Sequence, residues 1–67
     1  MGNYHRAREL AGLTIEEAAA RLGITVRTLT NWESGKASPP ALGIIELCKL
    51  YQRTADELIG VSPLANA

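Results

Sequence analysis

The chain has 67 residues, with seven Lys and Arg balanced by seven Asp and Glu, and it contains one His and one Cys. A chain of this length forms one small domain, which buries only about 60% of the surface exposed in the unfolded state. A single cysteine cannot form a disulfide within the chain, and one cysteine with one histidine cannot provide the ligands of a Cys/His zinc site. We therefore expect no metal and no cofactor. The net charge of zero gives no reason to expect a nucleic-acid partner.

Signals for membrane insertion and export are absent from the sequence. The uncharged run at residues 37–45 contains a Ser, two Pro and a Gly, and it is far shorter than the ~20 apolar residues that span a bilayer. The N-terminus becomes charged at Arg6, unlike a signal peptide. We therefore expect a soluble, cytoplasmic protein without membrane contact.

Capping and turn residues predict the first two helices. Residues 3–11 are helix formers that end at Gly12, which can adopt the left-handed conformation common after a helix. Thr14 and Glu17 have the spacing of a capping box, in which each side chain accepts a hydrogen bond from the other residue's backbone N–H. This box predicts a second helix that ends at Gly23.

The third and fourth helices are predicted by similar signals. Thr25 is the expected N-cap of the third helix, which ends at residues 34–35. Ser38 followed by Pro39 predicts the start of the fourth helix, because proline in the first turn has no backbone N–H to leave unpaired. Apolar stripes on helices 2, 3 and 4 supply the predicted core. Its members are Leu22, Leu29, Trp32, Ile44, Leu47, Cys48 and Tyr51.

A second capping box, formed by Thr54 and Glu57, predicts a short fifth helix that ends at Gly60. No segment alternates polar and apolar residues as a half-buried strand does. The sequence therefore predicts an all-α domain, a compact bundle of five short helices in residues 1–60. Residues 61–67 are expected to form a short, flexible tail.

Helices 2 and 3 have the features of a helix-turn-helix unit. They are joined through residues 23–25, and Ala18 and Ala19 allow the two helices to approach closely. The second helix of such a unit enters the major groove of DNA. If Leu29 and Trp32 face inward, a rotation of about 100° per residue leaves four side chains on the outward face. They are Arg27, Thr30, Asn31 and Ser34.

A series of residues, in order and with consistent spacing, carries a family resemblance. They are Arg8, Gly12, Leu13, Thr14, Glu17, Ala18, Leu22, Gly23, Thr25, residues 32–36, Pro39, Leu50, Tyr51 and residues 56–60. Through them, residues 4–60 resemble the repressor/Cro type of helix-turn-helix domain, the XRE family. The resemblance implies a lambda-repressor-like fold, with the helix-turn-helix at helices 2 and 3. It also implies a bacterial or phage-encoded transcriptional regulator, most often a repressor, that binds double-stranded DNA.

The resemblance further implies roles for individual residues. The base-reading positions of such domains correspond to Thr25, Val26, Arg27, Thr30 and Asn31. Of these, Arg27 suits guanine and Asn31 suits adenine, since each can form two hydrogen bonds with that base. Phosphate contacts are implied for Thr14, Ser34, Lys36 and Ser38. The family also pairs an Arg of helix 1 with the Glu that closes helix 3, here Arg8 and Glu33.

One position departs from the family pattern and keeps a second function open. Family members often have Gln at the first position of helix 2, where it contacts phosphate, whereas this chain has Ile15. Either that contact is missing or Ile15 packs inward. The alternative function is a protein-interaction module of the same fold with lost or weakened DNA binding. An enzyme is not expected, because the sequence offers no nucleophile–base pair and no paired carboxylates.

The distribution of charge along the chain bears on its partners. Residues 21–36 contain three basic side chains and one acidic one, so few phosphates are neutralised per chain. Leu42 on the outer side of helix 4 and Leu64 in the tail suggest a surface for a homodimer. Two copies would read half-sites about 34–36 Å apart on a near-palindromic operator.

Overall fold

Five helices make up the architecture, in a computed structural model that describes residues 2–64. They are α1 (Tyr4–Leu10), α2 (Ile15–Leu22), α3 (Val26–Ser34), α4 (Ala41–Tyr51) and α5 (Ala55–Ile59). Residues 2–64 contain no β-strand, so the predicted all-α bundle of five helices is confirmed. The predicted tail is described only through Leu64, and residues 65–67 lie outside the described residues.

Side-chain caps explain where three of the helices begin. Glu17 N donates to Thr14 Oγ1 at 3.1 Å, and Thr14 N donates to Glu17 Oε1 at 2.9 Å. Thr54 and Glu57 form the same reciprocal pair before α5. These bonds provide partners for amides that a helix N-terminus otherwise leaves unpaired. Both predicted capping boxes are confirmed.

The start of α4 was predicted wrongly. The helix begins at Ala41 and not at Ser38 and Pro39, and its N-cap residue Pro40 is extended, with φ −66° and ψ 167°. The residue before a proline is sterically driven away from the α-helical region. Pro40 therefore holds Pro39 out of the helix, and Pro39 does the same to Ser38.

The core lies where all five helices meet. Its buried residues are Tyr4, Ala7, Ala18, Ala19, Leu29, Trp32, Leu47, Tyr51 and Leu58. Four of them, Leu29, Trp32, Leu47 and Tyr51, were named from the apolar stripes, whereas Tyr4 and Leu58 were not. The other predicted core residues, Leu22, Ile44 and Cys48, are half-buried. Leu22 and Cys48 pack against the core.

The segment before α1 is attached to the end of α5. Asn3 N donates to the Leu58 carbonyl at 2.7 Å, and Asn3 Nδ2 donates to the Glu57 carbonyl at 2.8 Å. Carbonyls at a helix C-terminus have no partner within the helix, so Asn3 satisfies two of them. Gly2 lies so close that a Cβ atom there would be 2.5 Å from Tyr4 Cε2 and 2.7 Å from the Leu58 oxygen.

Packing leaves one side of α3 uncovered. This helix contacts α1 and α2, while α2 also packs on α4 and α5 packs on α1 and α4. The side of α3 that carries Leu29 is turned into the bundle, since Leu29 is fully buried. The opposite side of α3 is therefore available to a partner.

Candidate nucleic-acid interface

The uncovered side of α3 carries the side chains that the helical rotation predicted. Arg27, Thr30 and Ser34 are exposed, and Asn31 is half-buried. Within residues 2–64 the Arg27 guanidinium forms no ion pair, and the Asn31 carboxamide forms no hydrogen bond. The polar groups of these two side chains are thus not occupied by the described part of the chain.

The first turn of α3 is organised by two threonines. Thr28 N donates to Thr25 Oγ1 at 3.1 Å, and the Thr25 hydroxyl donates to Thr28 Oγ1 at 3.0 Å. Thr25 therefore acts as the N-cap of α3, as predicted. Its hydroxyl is engaged inside the first turn, while its methyl group and the neighbouring Val26, which is 40% exposed, offer apolar contact surface.

The four side chains predicted to contact phosphate lie in different surroundings. Thr14 is exposed at the start of α2, where its hydroxyl is part of the capping box. The Ser34 hydroxyl donates to the Asn31 carbonyl at 3.3 Å. Lys36 and Ser38 are exposed in the α3–α4 loop (residues 35–40). Ser38 is not at the N-terminus of α4, because the helix begins three residues later.

Ion pairs divide the basic side chains into two groups. Four of the seven are paired, as Arg6–Glu9 at 3.7 Å, Arg8–Glu33 at 2.8 Å, Lys49–Glu46 at 3.7 Å and Arg53–Glu57 at 3.4 Å. The other three form no ion pair within residues 2–64 and are Arg21, Arg27 and Lys36. All three belong to the segment from the end of α2 to the α3–α4 loop. The basic side chains without an ion pair therefore all lie close to α3 in the sequence.

An ion pair connects α1 to the C-terminal half of α3. Arg8 Nε donates to Glu33 Oε2 at 2.8 Å, and Arg8 Nη2 donates to Glu33 Oε1 at 3.2 Å. Arg8 Nη1 also donates to the Leu13 carbonyl at 3.0 Å. The two side chains are only 11% and 8% exposed, and the hydrogen bond with Glu33 raises the pKa of Arg8. The only acidic residue of α3 is thus neutralised from within the domain.

Sequence reasoning did not assign His5 to this cluster. Its Nδ1 lies 3.0 Å from Arg8 Nη2 and 3.2 Å from Glu33 Oε1, and its Nε2 lies 3.2 Å from Glu9 Oε2. The spacing of His5 and Glu9, four residues apart on one helix, is a local signal that indicates one of these contacts. The contact with Glu33 joins residues 28 positions apart, and no sequence pattern indicates it.

The side chain of Ile15 packs inward, which is one of the two alternatives that the sequence leaves open. Ile15 is half-buried and packs against the core. The exposed residues of the first turn of α2 are then Glu16 and Glu17. The Thr14 backbone N–H, followed by the Thr14 hydroxyl, lowers the pKa of Glu17. This turn consequently presents negative charge in place of a neutral amide side chain.

The two residues suggested for a dimer surface differ in exposure. Leu42 is 69% exposed, whereas Leu64 is half-buried and packs against the core of its own chain. Beside Leu42 is an apolar groove of about 250 Å³. It is lined by Leu22, Ile24, Trp32, Pro40, Leu42, Gly43 and Glu46.

Metal-ligating clusters and membrane-spanning helices are both missing from residues 2–64. No group of three or more His, Cys, Asp or Glu side chains within residues 2–64 is arranged to hold a metal ion. Among the helices of this region, none combines the length and the apolar character that crossing a bilayer requires.

Comparison with known proteins assigns the chain to a family. A family model described as helix-turn-helix matches residues 5–63, which is most of the 67-residue chain. Neither the curated proteins nor the solved structures contain a significant match. The matched region includes α2 to α5 and all of α1 except Tyr4. The chain belongs to the repressor/Cro type of helix-turn-helix family, the XRE family, whose members are DNA-binding domains of transcription regulation.

Proposed function

We propose that this chain is a sequence-specific transcriptional repressor that inserts α3 into the major groove of an operator. The observation that carries the proposal is the outward face of α3, where Arg27 and Asn31 have no partner within residues 2–64. An α-helix fits the major groove, where each base pair presents a distinct pattern of donors and acceptors. Occupying an operator is sufficient to block transcription, whereas activation needs a further contact, so repression is the simpler use of this surface.

Base recognition is assigned to the exposed side chains of α3. Arg27 binds guanine and Asn31 binds adenine through paired hydrogen bonds, each worth about 1–3 kcal/mol of discrimination. Thr30 is a further base-reading residue and lies one helical turn beyond Val26. The methyl groups of Thr25 and Val26 are suited to contact with the methyl group of a thymine. Because the Thr25 hydroxyl is occupied in the cap, its contribution to base reading is apolar.

Phosphate binding is assigned to the exposed polar residues on either side of α3, which are Thr14, Ser34, Lys36 and Ser38. The three basic side chains without an ion pair set the scale of the salt dependence. If one chain neutralises about three phosphates, its binding constant falls roughly 40-fold between 50 and 200 mM salt, and that of two chains falls roughly 1,800-fold.

Two copies of the chain are proposed to bind together. The domain measures 27 × 22 × 19 Å, which is shorter than the turn of about 34–36 Å that separates two half-sites. The exposed Leu42 beside the apolar groove supports a homodimer through this face of α4, because packing against a second copy would remove this apolar surface from water. Leu64 contributes less, since it packs against its own core. Two-fold symmetry would require a near-palindromic operator.

The test is a titration with DNA duplexes at two salt concentrations, followed by selection of bound duplexes from a random pool. A repressor of this kind binds random duplex at 50 mM salt, weakens steeply at 200 mM, and enriches a two-half-site sequence. Absence of binding at 50 mM salt would support the protein-interaction module instead. That alternative is favoured by the negative first turn of α2.

A further inference from the structure

A second cavity, distinct from the groove beside Leu42, lies beneath the α3–α4 loop. Its volume is about 380 Å³, within the range of about 300–1,000 Å³ found for small-molecule sites. We propose that this cavity binds a small, flat, neutral aromatic molecule with a hydrogen-bond donor, and that the bound molecule alters DNA binding. Only the effect on DNA rests on the proposed function.

Two aromatic and two aliphatic side chains form the apolar part of the cavity wall. Tyr4 comes from α1 and Trp32 from α3, and both residues are 9% exposed. Ile44 of α4 and Ile59 of α5 complete the apolar lining. Two ring systems held in place by the core favour a planar ligand, because aromatic groups gain energy in stacked and edge-to-face pairs beyond the burial of their area.

A carboxylate determines which polar group the ligand carries. Glu33 lines the cavity, and its side chain is 8% exposed. Its two oxygens offer about four acceptor positions, of which Arg8 Nε and Nη2 occupy two and His5 Nδ1 faces a third. In the proposed complex, a ligand N–H or O–H donates to the remaining position. Because Arg8 already neutralises the charge of Glu33, a neutral donor fits better than a cation. A carboxylate ligand has no N–H or O–H to donate to the Glu33 oxygens, so it does not fit either.

The other side of the cavity is the α3–α4 loop, which links this site to the DNA surface. Gly35, Ala37, Ser38 and Pro39 line the cavity, and a hydrogen bond from Ala37 N to the Asn31 carbonyl at 3.2 Å attaches the loop to α3. The same loop carries Lys36 and Ser38, the proposed phosphate contacts. In the proposed complex, the ligand acts on DNA binding through these two side chains.

The first experiment measures binding without DNA. Resorcinol, a neutral aromatic with two donors, is titrated into ¹⁵N-labelled protein, with 1,3-dimethoxybenzene and benzoate as controls that lack a donor or carry a negative charge. For a probe of this size we expect dissociation in the roughly millimolar range, with saturable shifts of the Glu33, Ala37 and Ser38 amides, which line this cavity and not the groove beside Leu42. The two controls should bind at least tenfold more weakly.

Two variants test the location. Ala37→Phe fills the cavity and should abolish the resorcinol shifts, whereas Ala55→Phe, a substitution at an exposed alanine outside the lining, should retain them. Shifts centred on Gly43 and Ile24 would place the molecule in the other groove and overturn the proposal. Absence of saturation, equal binding of all three probes, or unchanged binding to Ala37→Phe would overturn it as well.

The second experiment measures DNA affinity at a saturating resorcinol concentration. We expect at least a threefold change for the unmodified chain and for Ala55→Phe, and no change for Ala37→Phe. Binding of resorcinol without any change in DNA affinity refutes the regulatory part. Resorcinol binding by a chain that binds no DNA at 50 mM salt refutes the proposed repressor function and leaves the ligand site intact.

Discussion

Replacing Arg8 with Met tests the energetic role of the ion pair between α1 and α3. The substitution keeps the apolar stem and removes four hydrogen bonds, two to Glu33, one to the Leu13 carbonyl and one to His5 Nδ1. It leaves the Glu33 carboxylate, which is 8% exposed, without its guanidinium. Removing one partner of a buried pair costs about 3–5 kcal/mol. We expect the lower end of that range, about 3 kcal/mol, because His5 Nδ1 remains 3.2 Å from Glu33 Oε1.

Thermal and urea unfolding measure this loss directly. In a domain of this size about 3 kcal/mol corresponds to a Tm roughly 12–24 °C lower. Arg6→Met is the matched control: the Arg6–Glu9 pair is 3.7 Å long and its side chains are 60% and 48% exposed, so its loss should be below about 0.5 kcal/mol. The double variant R8M/E33M removes both charges and should be more stable than R8M alone. Equal losses for Arg8→Met and Arg6→Met, or a double variant less stable than R8M, would refute this reasoning.

Three further predictions concern alkaline stability, DNA recognition and assembly. Burial raises the pKa of Tyr51 to about 12, so stability due to this group is intact below pH 10 and falls by up to about 3 kcal/mol between pH 10 and 12. Tyr51→Phe removes a buried hydroxyl that has no partner in residues 2–64. The variant should be as stable as the unmodified chain or more stable at pH 7, and it should lose less stability between pH 10 and 12. Identical urea profiles of the two proteins at pH 11 would contradict this prediction. Arg27→Ala should lose about 1–3 kcal/mol of binding free energy on the selected operator and relax the base preference at one position. Lys36→Ala should weaken binding to all sequences equally and lower the salt slope by about one. A uniform loss for Arg27→Ala in fluorescence anisotropy would make Arg27 a phosphate contact. Leu42→Glu should convert a dimer into a monomer in sedimentation while the Tm changes little, and a persisting dimer would exclude this face.

The limits of most helices could be predicted because they depend on interactions within one turn. The capping boxes at Thr14 and Thr54 each join residues three positions apart, so the sequence alone contains both partners. The error at α4 is also local in origin. Proline in the first turn is favourable, but two consecutive prolines exclude each preceding residue from the helix, and the second effect determines the start at Ala41.

Most of the outward face of α3 was equally predictable, since the positions of Leu29 and Trp32 determine the orientation of every other side chain on the helix. The contacts between distant elements were not. His5 meets Glu33 across 28 residues, and Tyr51 is buried without a partner for its hydroxyl in the described chain. The cavity beneath the α3–α4 loop also depends on tertiary packing, because four helices and the loop contribute to its wall.

The attachment of Asn3 to the end of α5 brings two distant points of the chain within 2.7 Å of each other. The order of the helices along the chain can therefore be changed without changing their positions in space. A circular permutant that begins at Arg53, after the exposed turn at Gln52, places α5 directly before α1. Circular permutation succeeds at exposed turns of this kind.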